Sequence, residues 1–254
     1  MPDALPALQS SVDRLTSLIR PLDDAVITRP AYPSEWTIAD VLSHLGSGAV
    51  ISQRRLDDAL DGQTTPDDFN GSVWDEWNSK SARAKTDDAL AANLAFTDRL
   101  HEVAPADRAR FISPMGPFTL DWDAFVGLRL NEHLLHEWDV AVTLDSLATL
   151  PDDGTVIVID NLDLIARFTA KPHGPARVIT IGTTRPERAF VITVRRDGVE
   201  FSPAASPAVD PDLLMPAEAF IRLVYGRLDP NHTHASVTGD FTALDQLRAV
   251  FPGP

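Results

Sequence analysis

The stretch Arg129-Leu-Asn-Glu-His-Leu-Leu-His-Glu-Trp-Asp-Val-Ala141 decides how this chain is interpreted. It has the pattern of a long helix, in which Glu132, His136 and Asp139 recur at i, i+4 and i+7 and therefore line one stripe. A carboxylate and an imidazole one turn apart can bind the same divalent cation, and a carboxylate one turn further on can hold the second imidazole nitrogen. On its own, the spacing is equally typical of a solvated helix face with a Glu/His pair.

A histidine far upstream favours the metal site. Apolar residues at steps of three and four predict four long helices, over about residues 6–24, 34–49, 86–101 and 121–144. His44 lies in the second, which Thr37 begins as an N-cap with Asp40 as its capping-box partner. Four-helix bundles place metal ligands on facing helices, so His44 could meet the Glu132/His136 pair. A lone histidine beside an apolar stripe is, however, more often a packed core residue.

Two further groups of residues have two interpretations each. His133 and His136 lie at i, i+3 and form a rival pair of metal ligands. Trp74 and Trp77 also lie at i, i+3 and either flank a ligand pocket or belong to the core, where aromatic residues at this spacing are usually found.

The composition changes at 147–154, which predicts a boundary between a domain 1–148 and a domain 149–254. Beyond it, β-branched runs at 177–181, 189–194 and 198–201 predict a β-meander. Residues 155–168 have helical spacing and favour a helix. We expect two more helices and one strand, at 216–225, 241–251 and 234–238 respectively. The chain is therefore assigned to the α+β class.

The charge and composition exclude several classes of function. The 254 residues include 37 acidic and 22 basic ones, and the net charge of −15 disfavours nucleic acid and anionic membranes as partners. The chain contains no cysteine, which excludes disulfides, thiolate ligands and a cysteine nucleophile. We find no secretion signal and no apolar run of membrane-spanning length, so we expect a cytoplasmic location. The zincin motif H-E-x-x-H fails, because Val140 stands at its last position.

Several segments together carry a resemblance to a known family. They are Trp36-Thr-Ile-Ala-Asp-Val-Leu-Ser-His-Leu45, Arg129-x-x-Glu132-x-x-x-His136-x-Trp138-Asp139, Arg195-Arg-Asp-Gly-Val199, Pro216-Ala-Glu-Ala-Phe220, Tyr225-Gly-Arg227 and Val237-Thr-Gly-Asp240. This set resembles the mycothiol-dependent maleylpyruvate isomerase family. The resemblance implies an N-terminal DinB-like four-helix bundle followed by a smaller α+β domain with a sterol-carrier-like fold. It also implies a divalent metal, typically zinc, held by His44, Glu132 and His136, and mycothiol as the thiol cosubstrate.

The implied chemistry follows from the ligand set. Two imidazoles and one carboxylate leave zinc with an open position, which a soft thiol can occupy as the thiolate. Such a site suits a thiol-dependent isomerase or transferase that acts on a small electrophile. We expect Asp139 to hydrogen-bond to an imidazole of the site. We expect Arg222 or Arg227 of the second domain to bind the carboxylates of the substrate, in a cleft between the metal and that domain.

Two other functions stay open at this point. The same ligands could support hydrolysis of a small amide or ester by zinc hydroxide. Alternatively, the protein could bind a small ligand without catalysis and hold a structural metal. A strict requirement for added thiol would separate the first function from both others. The sequence leaves open the substrate, the metal, the role of His133 and the oligomeric state.

Overall fold

The chain folds into two compact units, Met1–Ala148 and Thr149–Pro254. The structure, a computed structural model, describes residues 3–116, 118–206, 208 and 210–253. The first unit is helical and the second combines helices with a sheet, so the prediction of the α+β class is confirmed. Within the described residues, no helix is both long enough and apolar enough to cross a membrane.

The first unit is a four-helix bundle with short additions. Its helices and strands are α1 (Leu5–Ile19), α2 (Asp24–Ile27), α3 (Ile38–Leu60), α4 (Phe69–Asn78), α5 (Ala82–Glu102), α6 (Pro105–Arg108), β1 (Ser113–Met115), β2 (Phe118–Leu120) and α7 (Trp122–Leu144). The four long helices α1, α3, α5 and α7 form the bundle, in which α1 packs on α7 and α3 packs on α5. The predicted first helix, 6–24, was too long: it ends at Ile19 because Pro21 cannot continue it.

Side-chain caps fix the starts of α3 and α7. Thr37 Oγ1 accepts a hydrogen bond from the backbone N–H of Asp40 at 3.2 Å, and the Asp40 carboxylate accepts one from the Thr37 N–H at 3.0 Å. This is the predicted capping box. Asp121 caps α7 by accepting from the Ala124 N–H at 2.9 Å. Because each start is fixed, the faces on which His44 and Glu132 lie are fixed as well.

A glycine allows α3 to approach α5 closely. A Cβ at Gly46 would lie 2.2 Å from the Trp77 ring and 2.8 Å from the Ala89 Cα, distances that no side chain tolerates. Trp77 is only 3% exposed and belongs to the core, together with Leu45 and Val41. The core interpretation of Trp77 is therefore confirmed, and this contact holds α3 in place two residues from His44.

The second unit is a five-stranded sheet with helices. Its elements are α8 (Asp152–Val158), α9 (Leu162–Thr169), β3 (Arg177–Thr184), β4 (Arg188–Val194), β5 (Val199–Pro203), β6 (Leu213–Pro216), α10 (Ala217–Val224), β7 (Thr238–Gly239) and α11 (Phe241–Val250). The strand order is β5-β4-β3-β6-β7. Strands β3, β4 and β5 form the predicted antiparallel meander, and 155–168 is helical as favoured.

Two strands of this sheet differ from the sequence prediction. The predicted strand 234–238 is reduced to Thr238–Gly239, because His234 and Ser236 hydrogen-bond to each other and compete with a sheet ladder. Strand β6 pairs parallel to β3 and was not predicted. It has only four residues and ends in a proline, so it carries too little pattern for recognition.

Candidate metal centre

Three side chains of the first unit bring potential metal ligands together. His44 comes from α3, and Glu132 and His136 come from α7. One donor atom from each residue lies within 4.8 Å of the other two. His44 Nε2 is 3.2 Å from Glu132 Oε2, and His136 Nε2 is 3.8 Å from the same oxygen. The two imidazole rings meet edge to face, with their centroids 4.7 Å apart. The structure thus brings together the three residues that the sequence indicated.

The cluster is accessible on one side and buried on the other. The side chains of His44 and Glu132 are 41% and 51% exposed, whereas that of His136 is 12% exposed. Burial alone would raise the pKa of Glu132, but its hydrogen bond with His44 and the neighbouring positive charges, that of His136 first among them, lower the pKa to about 2. Glu132 is therefore ionised throughout the physiological pH range and is available as a charged ligand.

Asp139 fixes the orientation of His136. The Asp139 carboxylate is fully buried and accepts a hydrogen bond of 2.8 Å from His136 Nδ1. Because an ionised carboxylate can only accept, the proton lies on Nδ1, and the lone pair of His136 lies on Nε2, the nitrogen nearer Glu132. Metal-binding histidines in proteins have this arrangement, with a carboxylate behind the ring.

An aromatic side chain that the sequence analysis did not single out borders the cluster. The Trp36 ring stacks on His136, with an interplanar angle of 22° and a centroid distance of 6.2 Å, and its centroid is 5.4 Å from that of His44. Trp36 directly precedes the helix cap Thr37, and its backbone N–H and C=O bond to Pro33 and Ala31. An aromatic residue next to the cap of a helix that carries a candidate ligand is the only sequence signal for this role.

His133 is not part of the donor cluster and belongs to a buried polar network. Ser11 Oγ donates to Glu137 Oε2 at 2.5 Å and accepts from His133 Nδ1 at 2.7 Å, and Arg14 Nε donates to Glu137 at 2.8 Å. Burial and the nearby charge of Arg129 lower the pKa of His133 well below its usual value. Its position inside the α1–α7 interface suits a neutral, structural histidine rather than a rival ligand.

The two arginines expected to bind substrate lie inside the second unit. Arg222 is 2% exposed, donates to both carboxylate oxygens of Glu218 at 2.7 and 3.1 Å, and donates through Nη1 to the His232 carbonyl at 2.9 Å. Arg227 is 5% exposed and donates to the Tyr225 carbonyl at 2.9 Å. These hydrogen bonds give both side chains a structural role. That either one also contacts a substrate stays a prediction.

Two cavities in the first unit adjoin His44. The smaller has a volume of about 200 Å³ and is bordered by Trp36, Trp74 and Trp77. The larger has a volume of about 250 Å³, reaches Glu132 and is lined by Arg55 and Arg129; we call it the arginine cavity. Trp74 lies between the two, borders both and is 51% exposed, in contrast to the buried Trp77. Trp74 is therefore an exposed residue at both cavities, whereas Trp77 is a core residue that also borders the smaller one.

Arg129 combines burial with an incomplete set of partners. Its Nη2 donates to the Leu45 carbonyl and to Asn93 Oδ1, both at 2.6 Å, while its Nε has no partner among the described residues. Burial lowers the pKa of Arg129 to about 10, although the negative charge of Glu132 opposes this effect. The guanidinium still carries its positive charge at neutral pH.

The fold and the donor cluster define a class of protein that carries candidate metal ligands on the facing helices of a four-helix bundle and continues into an α+β domain. Residues 8–141 match the mycothiol maleylpyruvate isomerase N-terminal domain, and residues 158–246 match the C-terminal domain of the same family. The chain therefore belongs to the mycothiol maleylpyruvate isomerase family. The predicted resemblance and the assignment as an enzyme are confirmed.

Solved structures show the same fold over most of the chain. The crystal structure of the mycothiol-dependent maleylpyruvate isomerase matches with a TM-score of 0.63 and 13% identity, covering 92% of this chain and 90% of that one. A histidine-to-alanine mutant of that isomerase matches with a TM-score of 0.62 and 12% identity, covering 88% of each chain. At this identity the likeness concerns the fold. No curated protein sequence matches the chain significantly.

Proposed function

We propose that this protein is a divalent-metal-dependent enzyme that uses mycothiol to isomerise a small electrophile or to transfer the thiol to it. The observation that carries the proposal is the cluster of two imidazoles and one carboxylate whose donor atoms lie within 4.8 Å of one another. Membership of the mycothiol maleylpyruvate isomerase family supports the thiol and the isomerisation. We further propose a cytoplasmic location, because low-molecular-weight thiols stay reduced there.

The residues of the cluster fit a divalent ion. Nitrogen and carboxylate oxygen donors are the ligands that zinc takes in catalytic sites, and zinc is the metal we propose. His44, Glu132 and His136 would hold it. Asp139 behind His136 keeps the donor nitrogen turned toward Glu132, so the ligand set is oriented before any ion arrives. When bound, the ion would supply Lewis acidity that lowers the pKa of an approaching thiol.

The other residues around the cluster provide binding and shielding. The chain has no cysteine, so the thiol must come from a cosubstrate. We assign to Trp36, whose ring stacks on His136, the role of shielding that side of the cluster from water. The two cavities beside His44 leave room for a thiol and an electrophile next to the cluster. Positioning both reactants is the task that we assign to this part of the bundle.

The test is turnover of maleylpyruvate by the full-length protein, with mycothiol and a divalent metal added separately and together. We expect turnover only when both are present, and we expect Glu132→Gln, which keeps the size of the side chain, to abolish it. His101→Ala is the matched control, because His101 is exposed at the end of α5 and lies outside the cluster. Turnover without thiol, or full activity of Glu132→Gln, would contradict the proposal, and thiol-independent cleavage of an ester or amide would favour the hydrolase.

A further inference from the structure

The arginine cavity has an unusual charge for this protein. The chain has a net charge of −15, yet two arginines and one glutamate line this cavity. The rest of the wall includes the apolar side chains of Leu120, Phe125 and Leu128. Positive groups set in an apolar wall suit an organic anion rather than a hydrated cation.

Arg55 is the cation of this cavity whose side chain is not engaged elsewhere. The preceding residue, Arg54, donates to both carboxylate oxygens of Asp58, at 2.9 and 2.8 Å. Arg55 makes no such contact: within the part of the chain that the structure describes, its guanidinium has neither a hydrogen bond nor an ion pair. A half-buried guanidinium that faces a cavity without a partner is a ready binding group for a carboxylate.

The positions of His44 and Arg55 on α3 define the length of the ligand. Both line the arginine cavity, and eleven residues separate them, which corresponds to roughly 16 Å along the helix axis. Side chains of a helix lean toward its N-terminus, so the long Arg55 side chain leans back toward His44. The remaining gap is too long for a single carboxylate group and suits an elongated molecule, with one end at the cluster and an acidic group at Arg55.

Arg129 adds a second, independent indication. It lies between the two ends, lines the same cavity and keeps a buried Nε without a partner among the described residues. Gly48 faces this guanidinium, since a Cβ there would lie 2.8 Å from Arg129 Nη1. Glycine at this position therefore lets the buried guanidinium lie directly against α3 in the wall of the cavity.

We propose that Arg55 is a specificity-determining residue of the arginine cavity and that its guanidinium binds the carboxylate at the far end of the electrophile. The inference rests on the proposed function and names a substrate-binding residue of the same site. It also gives the cation for the substrate a place inside the bundle, whereas Arg222 and Arg227 are engaged within the second unit.

The first test is calorimetric binding of adipate, a six-carbon dicarboxylate, to the full-length protein with its metal content measured. We expect Arg55→Gln to weaken adipate binding about tenfold or more, as befits the loss of a charge-assisted hydrogen bond. Arg54→Gln is the matched control. It removes the same charge from the neighbouring residue, whose side chain pairs with Asp58. We expect that variant to bind adipate within about twofold of the wild type, and Arg55→Gln to keep the wild-type melting temperature.

The outcomes separate this inference from the proposed function. The inference fails if the wild type does not bind adipate at millimolar concentration, or if the neutral diamide adipamide binds as tightly as adipate. It fails as well if inorganic phosphate displaces adipate equally in both variants, or if Arg54→Gln loses as much affinity for adipate as Arg55→Gln. It also fails if Arg55→Gln keeps the wild-type KM for maleylpyruvate; we expect a raised KM with a smaller change in kcat and unchanged metal content. If Arg55-dependent adipate binding persists while thiol-dependent turnover is missing, the proposed reaction falls and the anion site remains.

Discussion

His136 donates its Nδ1 proton to Asp139 across 2.8 Å, and the Asp139 carboxylate that receives it is completely buried. A buried carboxylate requires hydrogen-bond partners, and here one of them is the ring of a candidate metal ligand. The pair lies at i and i+3 on α7, so one helix supplies both the donor group and its support. The orientation of His136 therefore depends on the fold rather than on a bound ion.

Removal of this support should weaken metal binding. We expect Asp139→Ala to reduce zinc affinity roughly 10 to 100-fold, because His136 loses the hydrogen bond that fixes its tautomer. Competition with a chromophoric chelator measures the affinity, and circular dichroism shows whether the bundle stays folded. Asp123→Ala is the control, since Asp123 is an exposed carboxylate in the first turn of the same helix. Equal affinities of the two variants would show that Asp139 has no part in the site.

The polar network around Ser11 should affect stability and not metal binding. Ser11→Ala leaves the buried His133 Nδ1 without its hydrogen-bond partner and removes one of the bonds to Glu137, which costs about 1 to 3 kcal/mol in the free energy of unfolding. Chemical denaturation measures the loss. Metal stoichiometry should stay at the wild-type value. If the Ser11→Ala variant lost its metal while keeping its stability, His133 would be part of the metal site after all.

A carboxylate of the second unit should make stability dependent on pH. The pKa of Asp212 is lowered below its usual 3.8, first by a hydrogen bond from the backbone N–H of Thr180 and then by the Thr180 hydroxyl and Arg177. Partial burial of the carboxylate opposes this lowering. A carboxyl group whose pKa is lower in the folded state stabilises the folded protein above pH 3.8. This stabilisation is lost as the pH falls through the pKa of the folded state.

We therefore expect Asp212→Asn to destabilise the protein by about 1 kcal/mol at pH 7, with a difference from the wild type that shrinks below pH 3.8. Differential scanning calorimetry over this pH range is the measurement. Asp210→Asn, which removes an exposed carboxylate two residues earlier, should show no such difference. A difference that grows as the pH falls would have the wrong sign for this explanation.

The candidate ligands could be predicted from the sequence because helical periodicity is local. Glu132, His136 and Asp139 share a face by spacing alone, and the capping box at Thr37 fixed the helix that carries His44. To predict that His44 meets α7, one must also assume that the helices form a bundle. Four amphipathic helices in the sequence support that assumption. In the second unit, the sequence predicted the strands that are long and continuous, and it missed the short strand β6.

The residues around the site were beyond the sequence analysis because their roles depend on tertiary contacts. Trp36 lies outside any helix, and its position next to the cap of α3 does not reveal that its ring stacks on His136. The role of Arg55 depends on which other charges stand near it, and only the structure shows that Arg54 is paired with Asp58 whereas Arg55 is not. The spacing in the sequence places Arg55 on the same helix face as His44, but the cavity that both residues line is seen only in the structure.

The most direct test of the central claim is the metal content of the purified, metal-equilibrated protein, measured by inductively coupled plasma mass spectrometry after dialysis. We expect about one divalent ion per chain in the wild type and in His101→Ala, and essentially none in His44→Ala or Glu132→Gln, each with an unchanged circular dichroism spectrum. A wild type without bound metal, or a His44→Ala variant that retains a full ion, would contradict the assignment of His44, Glu132 and His136 as the metal ligands.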